Sequence, residues 1–142
     1  MKKYKIGYTQ GTYDLFHIGH LNLLENAKKY CDYLIVGINS DKLVKEYKNK
    51  IVSITDKDRA RIVEALKVVD EVHVVHTLDK NEALKKYKFD VIFIGDDWKG
   101  NDRWKKTEIE MKSKNVDLIY LPHTDGISST MILKKIQEKG KK

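Results

Sequence analysis

The run Lys5-Ile6-Gly7-Tyr8-Thr9, followed after Gln10 by Gly11-Thr12-Tyr13-Asp14-Leu15-Phe16-His17-Ile18-Gly19-His20, decides the fold. Its first five residues lean apolar and have strand character. Around and behind His20, Leu21, Leu24, Ala27 and Cys31 recur at helical spacing, which predicts a helix over 18–30. The decapeptide between is therefore a strand-to-helix turn, and in an open α/β sheet such turns lie at the carboxyl ends of strands, where ligands bind. His17 and His20 flank a glycine at the helix entrance, where backbone N–H groups are unpaired and the helix dipole favours negative charge. Gly19 has no side chain, so an anion can approach the backbone closely. Two imidazoles on one face suit a phosphate that gains charge during a reaction. A histidine pair at i and i+3 also fits a metal, but no His-Glu-x-x-His pattern is present and the chain has one cysteine.

Outward from this turn, apolar strand candidates alternate with helical patterns. Tyr33 to Ile38 is a continuous apolar run of the kind buried on both faces, and Asn39-Ser40-Asp41 after it is turn chemistry. Residues 42–52 have no clear period and read as a loop, or a loop with one helical turn. Thr55 with Asp58 offers a helix start, and Ile62, Val63 and Leu66 supply its apolar stripe. Val72 to Val75 is a strand. Asp79 with Glu82 has the form of a capping box, so a helix follows to about Tyr87. Phe89 to Ile94 is a strand, 102–113 a polar helix and Val116 to Leu121 a fifth strand, ended by Pro122. Ser128 caps a last helix with Ile132, Leu133 and Ile136 on its inner face. Strand–helix alternation of this kind predicts a parallel sheet covered on both faces, with right-handed crossovers.

With 142 residues, one proline and no Gly/Ser-rich stretch, the chain reads as a single domain over 1–142. No apolar run reaches 18 residues, which argues against membrane insertion. Met1-Lys2-Lys3-Tyr4-Lys5 lacks the apolar region of a secretory leader, and the single cysteine fits a reducing cytoplasm. The net charge of +7 comes from lysines scattered through the chain, without the aromatic interleaving of a nucleic-acid surface. Lys139-Gly140-Lys141-Lys142 reads as a frayed tail.

Four βα ends carry unusual polar residues, and a parallel sheet gathers these ends on one edge. Gly11 to His20 follows the first strand, and Asn39 onward, with Lys48 and Lys50, follows the second. Gly95-Asp96-Asp97-Trp98 follows the fourth, and His123 to Thr130 follows the fifth. Two acids beside an anion site suit a base or a metal better than a phosphate. Ser128, Ser129 and Thr130 open a helix, so they form either an anion cradle or a plain serine cap. Asp14 reads equally as a helix cap.

These stretches, in this order, resemble the cytidylyltransferases of the HxGH nucleotidyltransferase superfamily. The matching segments are Gly11 to His20; Arg59 followed by Val69-Asp70-Glu71-Val72; Gly95 to Trp98; and His123-Thr124-Asp125-Gly126-Ile127-Ser128-Ser129-Thr130. The resemblance implies a Rossmann-like three-layer α/β/α sandwich with a five-stranded parallel sheet. It implies transfer of CMP from CTP to a phospho-alcohol with release of pyrophosphate, glycerol 3-phosphate being the first acceptor to consider. Glycerol 2-phosphate, phosphocholine and phosphoethanolamine are the alternatives, followed by an adenylyltransferase of the same superfamily and a non-catalytic nucleotide-binding module. It further implies Mg²⁺ as cofactor, a homodimer, and a product destined for an envelope polymer.

By the same resemblance, His17 and His20 stabilise the α-phosphate, while Thr12, Tyr13 and Gly19 adjoin the triphosphate. Asp14 orients a lysine or an acceptor hydroxyl. Lys48 and Lys50, 11 and 9 residues before Arg59, neutralise the triphosphate and the acceptor phosphate. Arg59 either braces their loop or meets the acceptor phosphate. Asp97 accepts from the cytosine amino group and Trp98 packs beside it. His123, Thr124, Gly126 and Ile127 border the nucleotide, with Ser128, Ser129 and Thr130 on the β- and γ-phosphates. Three departures touch substrate handling. His123 stands where the family has arginine, which grips phosphate bidentately and is always charged. Thr77-Leu78-Asp79 stands where the glycerol-3-phosphate enzymes carry a tryptophan, and the segment 101–114 is longer than theirs.

Overall fold

The computed structural model describes residues 3–140. Five strands, β1 (Tyr4–Gly11), β2 (Cys31–Asn39), β3 (Glu71–Val75), β4 (Val91–Gly95) and β5 (Asp117–Leu121), form one parallel sheet in the order β3-β2-β1-β4-β5. The helices are α1 (Ile18–Lys28), α2 (Asp41–Lys48), α3 (Asp56–Glu64), α4 (Lys80–Tyr87), α5 (Asp102–Lys112) and α6 (Ser129–Lys139), with a short 3-10 turn at Asp96–Trp98. This is the expected three-layer α/β/α sandwich.

One face of the sheet buries Leu34, Val36, Ile38 and Phe93 against Leu24 and Ala27 of α1 and Val63 of α3. The other buries Tyr8, Ile35 and Ile92 against Ala83 of α4 and Trp104 and Met111 of α5. The central strands are covered on both sides, which is why they read as unbroken apolar runs. Gly7 and Gly37 mark close packing about the central strands: a Cβ at Gly7 would meet the Phe93 ring at 2.4 Å and Cys31 Sγ at 2.9 Å, and one at Gly37 the Tyr8 hydroxyl at 2.3 Å.

The order of strands reverses between β1 and β4. β1 pairs with β2 as far as Gly11↔Ile38, but with β4 only at Gly7↔Val91 and Tyr8↔Ile92. Past Tyr8, Thr9 Oγ1 donates to Phe93 O at 2.9 Å, and beyond that the two strand ends diverge. A crevice opens at that switch point, the place where such sheets bind ligands.

Several expectations are corrected. Residues 42–52 hold more helix than a single turn: they are helical as far as Lys48 and loop only over 49–52, since Ser40 caps α2 by accepting from Leu43 N–H at 3.1 Å and Asn49 ends it in the left-handed conformation. Leu43 and Val44 supply its buried side, a stripe too short to show a period in sequence. Helix α1 stops at Lys28, and Cys31 opens β2 instead of closing the helix. The cap of α4 is one-sided, with Asp79 accepting from Asn81 N–H at 2.9 Å. On α3, Val63 is buried and Ile62 faces outward. No residue of α6 is buried and Ile136 is exposed, so that helix lies lightly on the sheet. It continues through Lys139, where Gly140 N–H bonds Ile136 O at 3.1 Å. Lys141 and Lys142 of the expected tail, and Met1 and Lys2 of the start, lie outside the described residues.

Candidate active site

The carboxyl edge of the sheet holds a cleft of about 640 Å³, within the range of small-molecule sites. All four polar βα ends contribute to its walls: Thr12 to Asp14 with His17, Gly19 and His20; Lys48 and Lys50; Asp97 and Trp98; and His123 to Thr130. Of the expected site residues, only Arg59 is not on its lining.

The strand-to-helix turn is built by its histidines. His17, not Asp14, is the N-cap of α1. His17 Nδ1 accepts from Gly19 N–H at 3.0 Å, and His20 Nδ1 accepts from His17 N–H at 3.2 Å, a reciprocal capping box made of two imidazoles. Gly19 fits because a Cβ there would meet the His17 ring at 2.8 Å. Because each Nδ1 is an acceptor, each neutral ring carries its proton on Nε2. The rings stack with centroids 3.8 Å apart. Burial lowers the pKa of His17. Burial, and then the neighbouring His17, push that of His20 down to about 4. Near neutral pH both are therefore uncharged donors through Nε2. Buried Tyr13, held at φ 55° in the left-handed region, sets its ring 5.2 Å from that of His20.

Asp14 is buried beneath the turn. Its carboxylate accepts from Ser53 N–H at 2.8 Å, Ile54 N–H at 3.0 Å and its own neighbour Leu15 N–H at 3.1 Å. It therefore ties the segment after α2 to the β1–α1 turn. Arg59 does the same from α3. Only 1% exposed, it donates through Nε to Ile54 O at 2.8 Å and through one terminal nitrogen to Thr12 O at 2.6 Å and Asn39 O at 2.9 Å. Its other terminal nitrogen pairs with Asp41 Oδ1 at 2.5 Å. The guanidinium makes its hydrogen bonds to the fold, which is the arrangement of a brace. Both residues fix the segment that carries Lys48 and Lys50.

At the β5 end, His123 is clamped between acids. Its backbone N–H and Nδ1 meet Asp96 Oδ1, and its Nε2 lies 3.0 Å from Asp125 Oδ1. Asp96 raises the His123 pKa, and the His123 hydrogen bond lowers that of Asp96 in return. Both ring nitrogens are engaged by carboxylates, unlike the free fork of an arginine. Thr124 Oγ1 accepts from Asn22 Nδ2 at 2.9 Å. Ser128 caps α6 by accepting from Met131 N–H at 3.1 Å, and the Ser129 hydroxyl donates to Asp14 O. The three-hydroxyl cradle is thus reduced: two hydroxyls hold the fold, while Thr130 is exposed to the cleft. The opening N–H groups of α6 keep no intrahelical partner. Asp97 is exposed on the cleft wall, and Trp98, 37% exposed, lies 5.7 Å from the Arg103 guanidinium.

Sequence reasoning missed a polar chain that supports α2. Tyr8 OH donates to Gln10 Oε1 at 2.7 Å, and Gln10 Nε2 donates to Asn39 Oδ1 at 2.9 Å. Asn39 Nδ2 donates to the hydroxyl of Tyr47 at 3.1 Å. Alternation along β1 and β2 could have placed Gln10 and Asn39 on one face; Tyr47 needed the helix that the sequence did not reveal. Lys80, Arg103 and Trp104 also line the cleft and were likewise missed.

A three-layer parallel sheet whose switch-point crevice presents two neutral, stacked imidazoles beside helix N-termini defines a nucleotide-handling α/β protein, and the chain belongs to the cytidylyltransferase-like family, whose model matches residues 8–135. It is 40% identical over 127 residues to the glycerol-3-phosphate cytidylyltransferase of Bacillus spizizenii, covering 89% of this chain and 92% of that protein. To the enzyme of the same name from Staphylococcus aureus it is 33% identical, covering 94% and 96%. In fold it is similar to a lipopolysaccharide core biosynthesis protein from Thermoplasma volcanium, with a TM-score of 0.71 at 21% identity over 85% of this chain and 97% of that one.

Proposed function

We propose that the protein transfers CMP from CTP to glycerol 3-phosphate, giving CDP-glycerol and pyrophosphate. The observation that carries this reading is the pair of neutral imidazoles, His17 and His20, fixed as Nε2–H donors at the mouth of α1. A non-bridging oxygen of the acceptor phosphate attacks the α-phosphorus. The bond from that phosphorus to the α–β bridging oxygen breaks, and pyrophosphate leaves with the electron pair. Charge grows on the α-phosphate oxygens and on the leaving group, so fixed donors aimed there lower the barrier without rearranging. A phosphate monoester has a second pKa of about 6 and is already ionised near neutral pH, so no general base is needed. Lys48 and Lys50 neutralise phosphate charge from the α2 side, and the opening turn of α6 takes the β- and γ-phosphates. Asp97 accepts from the exocyclic amino group of cytosine, a donor that uracil lacks.

Mg²⁺ fits the residues of this cleft poorly as a protein-bound ion, since no group of three or more His, Cys, Asp or Glu among the described residues is placed to hold a metal. The Asp14 carboxylate is spent on backbone N–H groups. Mg²⁺ therefore enters the proposal only as a companion of the triphosphate, which commonly supplies its oxygens. We assign the protein to the cytoplasm as a homodimer whose product feeds an envelope polymer. Exposed Ile18, Tyr30 and Tyr33 are compatible with a second copy, and light scattering measures that state. No helix among the described residues is long and apolar enough to cross a membrane.

Pyrophosphate release with Mg²⁺, comparing CTP and ATP against a panel of phospho-alcohols, tests the reaction. Turnover with CTP and glycerol 3-phosphate is expected. Turnover with ATP alone would overturn the choice of base.

A further inference from the structure

The polar chain beneath α2 has a direction, and that direction ends in the cleft. Its origin is the hydroxyl of buried Tyr8, which fits because Gly37 beside it on β2 has no side chain. The sense of the chain is set at Gln10. Thr77 O lies 3.0 Å from Gln10 Nε2, and a carbonyl can only accept. Gln10 Oε1 therefore faces Tyr8, whose hydroxyl donates to it at 2.7 Å. The second Nε2 proton goes to Asn39 Oδ1 at 2.9 Å. Buried Asn39 must then turn its Nδ2 towards the cleft, where it donates to Tyr47 OH at 3.1 Å and to Thr12 Oγ1 at 3.4 Å. Both amides have now used both of their protons.

Two hydroxyls close the chain, and both receive from Asn39. They lie 3.3 Å apart, so one can donate to the other, but not each to each. Among the described residues neither has another acceptor. At least one hydroxyl proton is therefore left over, on a wall that Thr12, Asn39 and Tyr47 all line. The phenol is the stronger donor of the two, and it takes the shorter bond from Asn39, which polarises its own O–H further. Lys48 Nζ stands 5.4 Å from the centroid of the Tyr47 ring, so a positive charge adjoins that proton. A polarised donor beside an ammonium suits an anionic oxygen. We propose that Tyr47 binds a phosphate oxygen of the triphosphate through its hydroxyl proton, and that Gln10 and Asn39 are positioning residues which turn that proton into the cleft. The identity of the ligand rests on the transferase reading above. To that reading the chain adds a hydroxyl donor carried by α2, set by side chains of the two central strands.

Calorimetric binding to the whole protein tests this without requiring turnover. Tyr47→Phe keeps the ring beside Lys48 and removes only the hydroxyl. It is expected to weaken CTP by about tenfold and to leave cytidine, which has no phosphate, within about twofold. Asn39→Asp keeps the shape but reverses the chain: its carboxylate only accepts, so it draws the Tyr47 proton away from the ligand. CTP should weaken in that variant too, and adding Tyr47→Phe should then change it by no more than about twofold. If the hydroxyl merely anchored α2, the new carboxylate would hold it as well or better. Tyr47→Phe would then lower the melting temperature in both backgrounds. CTP affinity within twofold of wild type in Tyr47→Phe, an equal loss for cytidine, or an undiminished effect of Tyr47→Phe beside Asn39→Asp would each overturn the proposal. Should Asn39→Asp not fold, inorganic pyrophosphate replaces the cycle: Tyr47→Phe is expected to weaken it as it weakens CTP, and unchanged binding would count against the phosphate contact. If no substrate pair releases pyrophosphate but Tyr47→Phe still weakens CTP alone, the transferase reading fails and Tyr47 keeps its ligand. If wild type binds neither CTP nor pyrophosphate, Tyr47 loses it.

Discussion

His17 and His20 serve the fold with one end of their rings and, in the proposed reaction, the chemistry with the other. Each Nδ1 satisfies a backbone N–H of the α1 entrance, which leaves each Nε2–H free for substrate. The two roles separate by substitution. His17→Ser keeps a side-chain oxygen at the N-cap, where losing a cap costs about 1 kcal/mol, but removes the imidazole donor. It is expected to melt near wild type and to bind CTP within a few-fold, while kcat falls by about 10²- to 10³-fold. Paired melting and single-turnover measurements check this; turnover within a few-fold of wild type would remove His17 from the transition state. The lowered pKa values carry a second consequence. His20 titrates near 6.5 when unfolded and at about 4 when folded, so between these values the unfolded chain binds the extra proton. Its share of stability is complete above pH 6.5 and is lost as pH falls towards 4, with a slope of at most about 1.4 kcal/mol per pH unit. Urea titrations across that window should show the slope, and His20→Asn should flatten it. Equal slopes in both proteins would assign the acid sensitivity to other groups.

Among the elements, the segment from α2 to α3 shows how a motif can be legible while its support is not. The spacing of Lys48 and Lys50 from Arg59 was readable, and so was the strand-to-helix turn Gly11–His20 at the sheet's carboxyl edge. What the sequence could not reveal was that Asp14 and Arg59 face inward, because their value lies in backbone partners brought together by the sheet: Ser53, Ile54, Thr12 and Asn39. Helix α2 escaped notice for a similar reason. Eight residues hold two turns, and Leu43, Val44 and Tyr47 give a stripe only once their neighbours are known. The strands were read best, since burial on both faces writes itself as unbroken apolar runs. Arg59→Met tests the bracing directly. It strips three carbonyls and the partly exposed Asp41 of their donor, and a buried acceptor left unpaired is expected to cost about 1–3 kcal/mol. The melting temperature should drop, and in any folded fraction Lys48 and Lys50 should lose their positions, raising the KM for both substrates. A variant as stable as wild type would show that the β1–α1 turn and the α2–α3 segment hold together without the guanidinium.

For the whole molecule, the switch point divides the sheet into β1-β2-β3 and β4-β5, with β1 and β4 paired at only Gly7↔Val91 and Tyr8↔Ile92. The cleft draws His17 and Lys48 from one half and Asp97 and Thr130 from the other. A nucleotide spanning it therefore adds ties where the sheet itself has few. Helix α6 stands to change most. None of its residues is buried, and within its opening turn Ser128 accepts from Met131 N–H while Ser129 reaches Asp14. A lightly packed helix opens locally at small cost, and a ligand that binds only the closed form stabilises it by mass action. CTP at 100 times its Kd contributes about 2.7 kcal/mol. Amides at the start of α6 should then exchange hydrogen roughly 100-fold more slowly with CTP than without, and those of the Asp96–Trp98 turn should follow. Pyrophosphate, which has no base to reach Asp97, should protect α6 but leave that turn unchanged. ATP should protect the turn less than CTP if Asp97 reads the base. Protection confined to α1 would mean that the triphosphate does not reach α6, and the opening turn of that helix would have to be removed from the site.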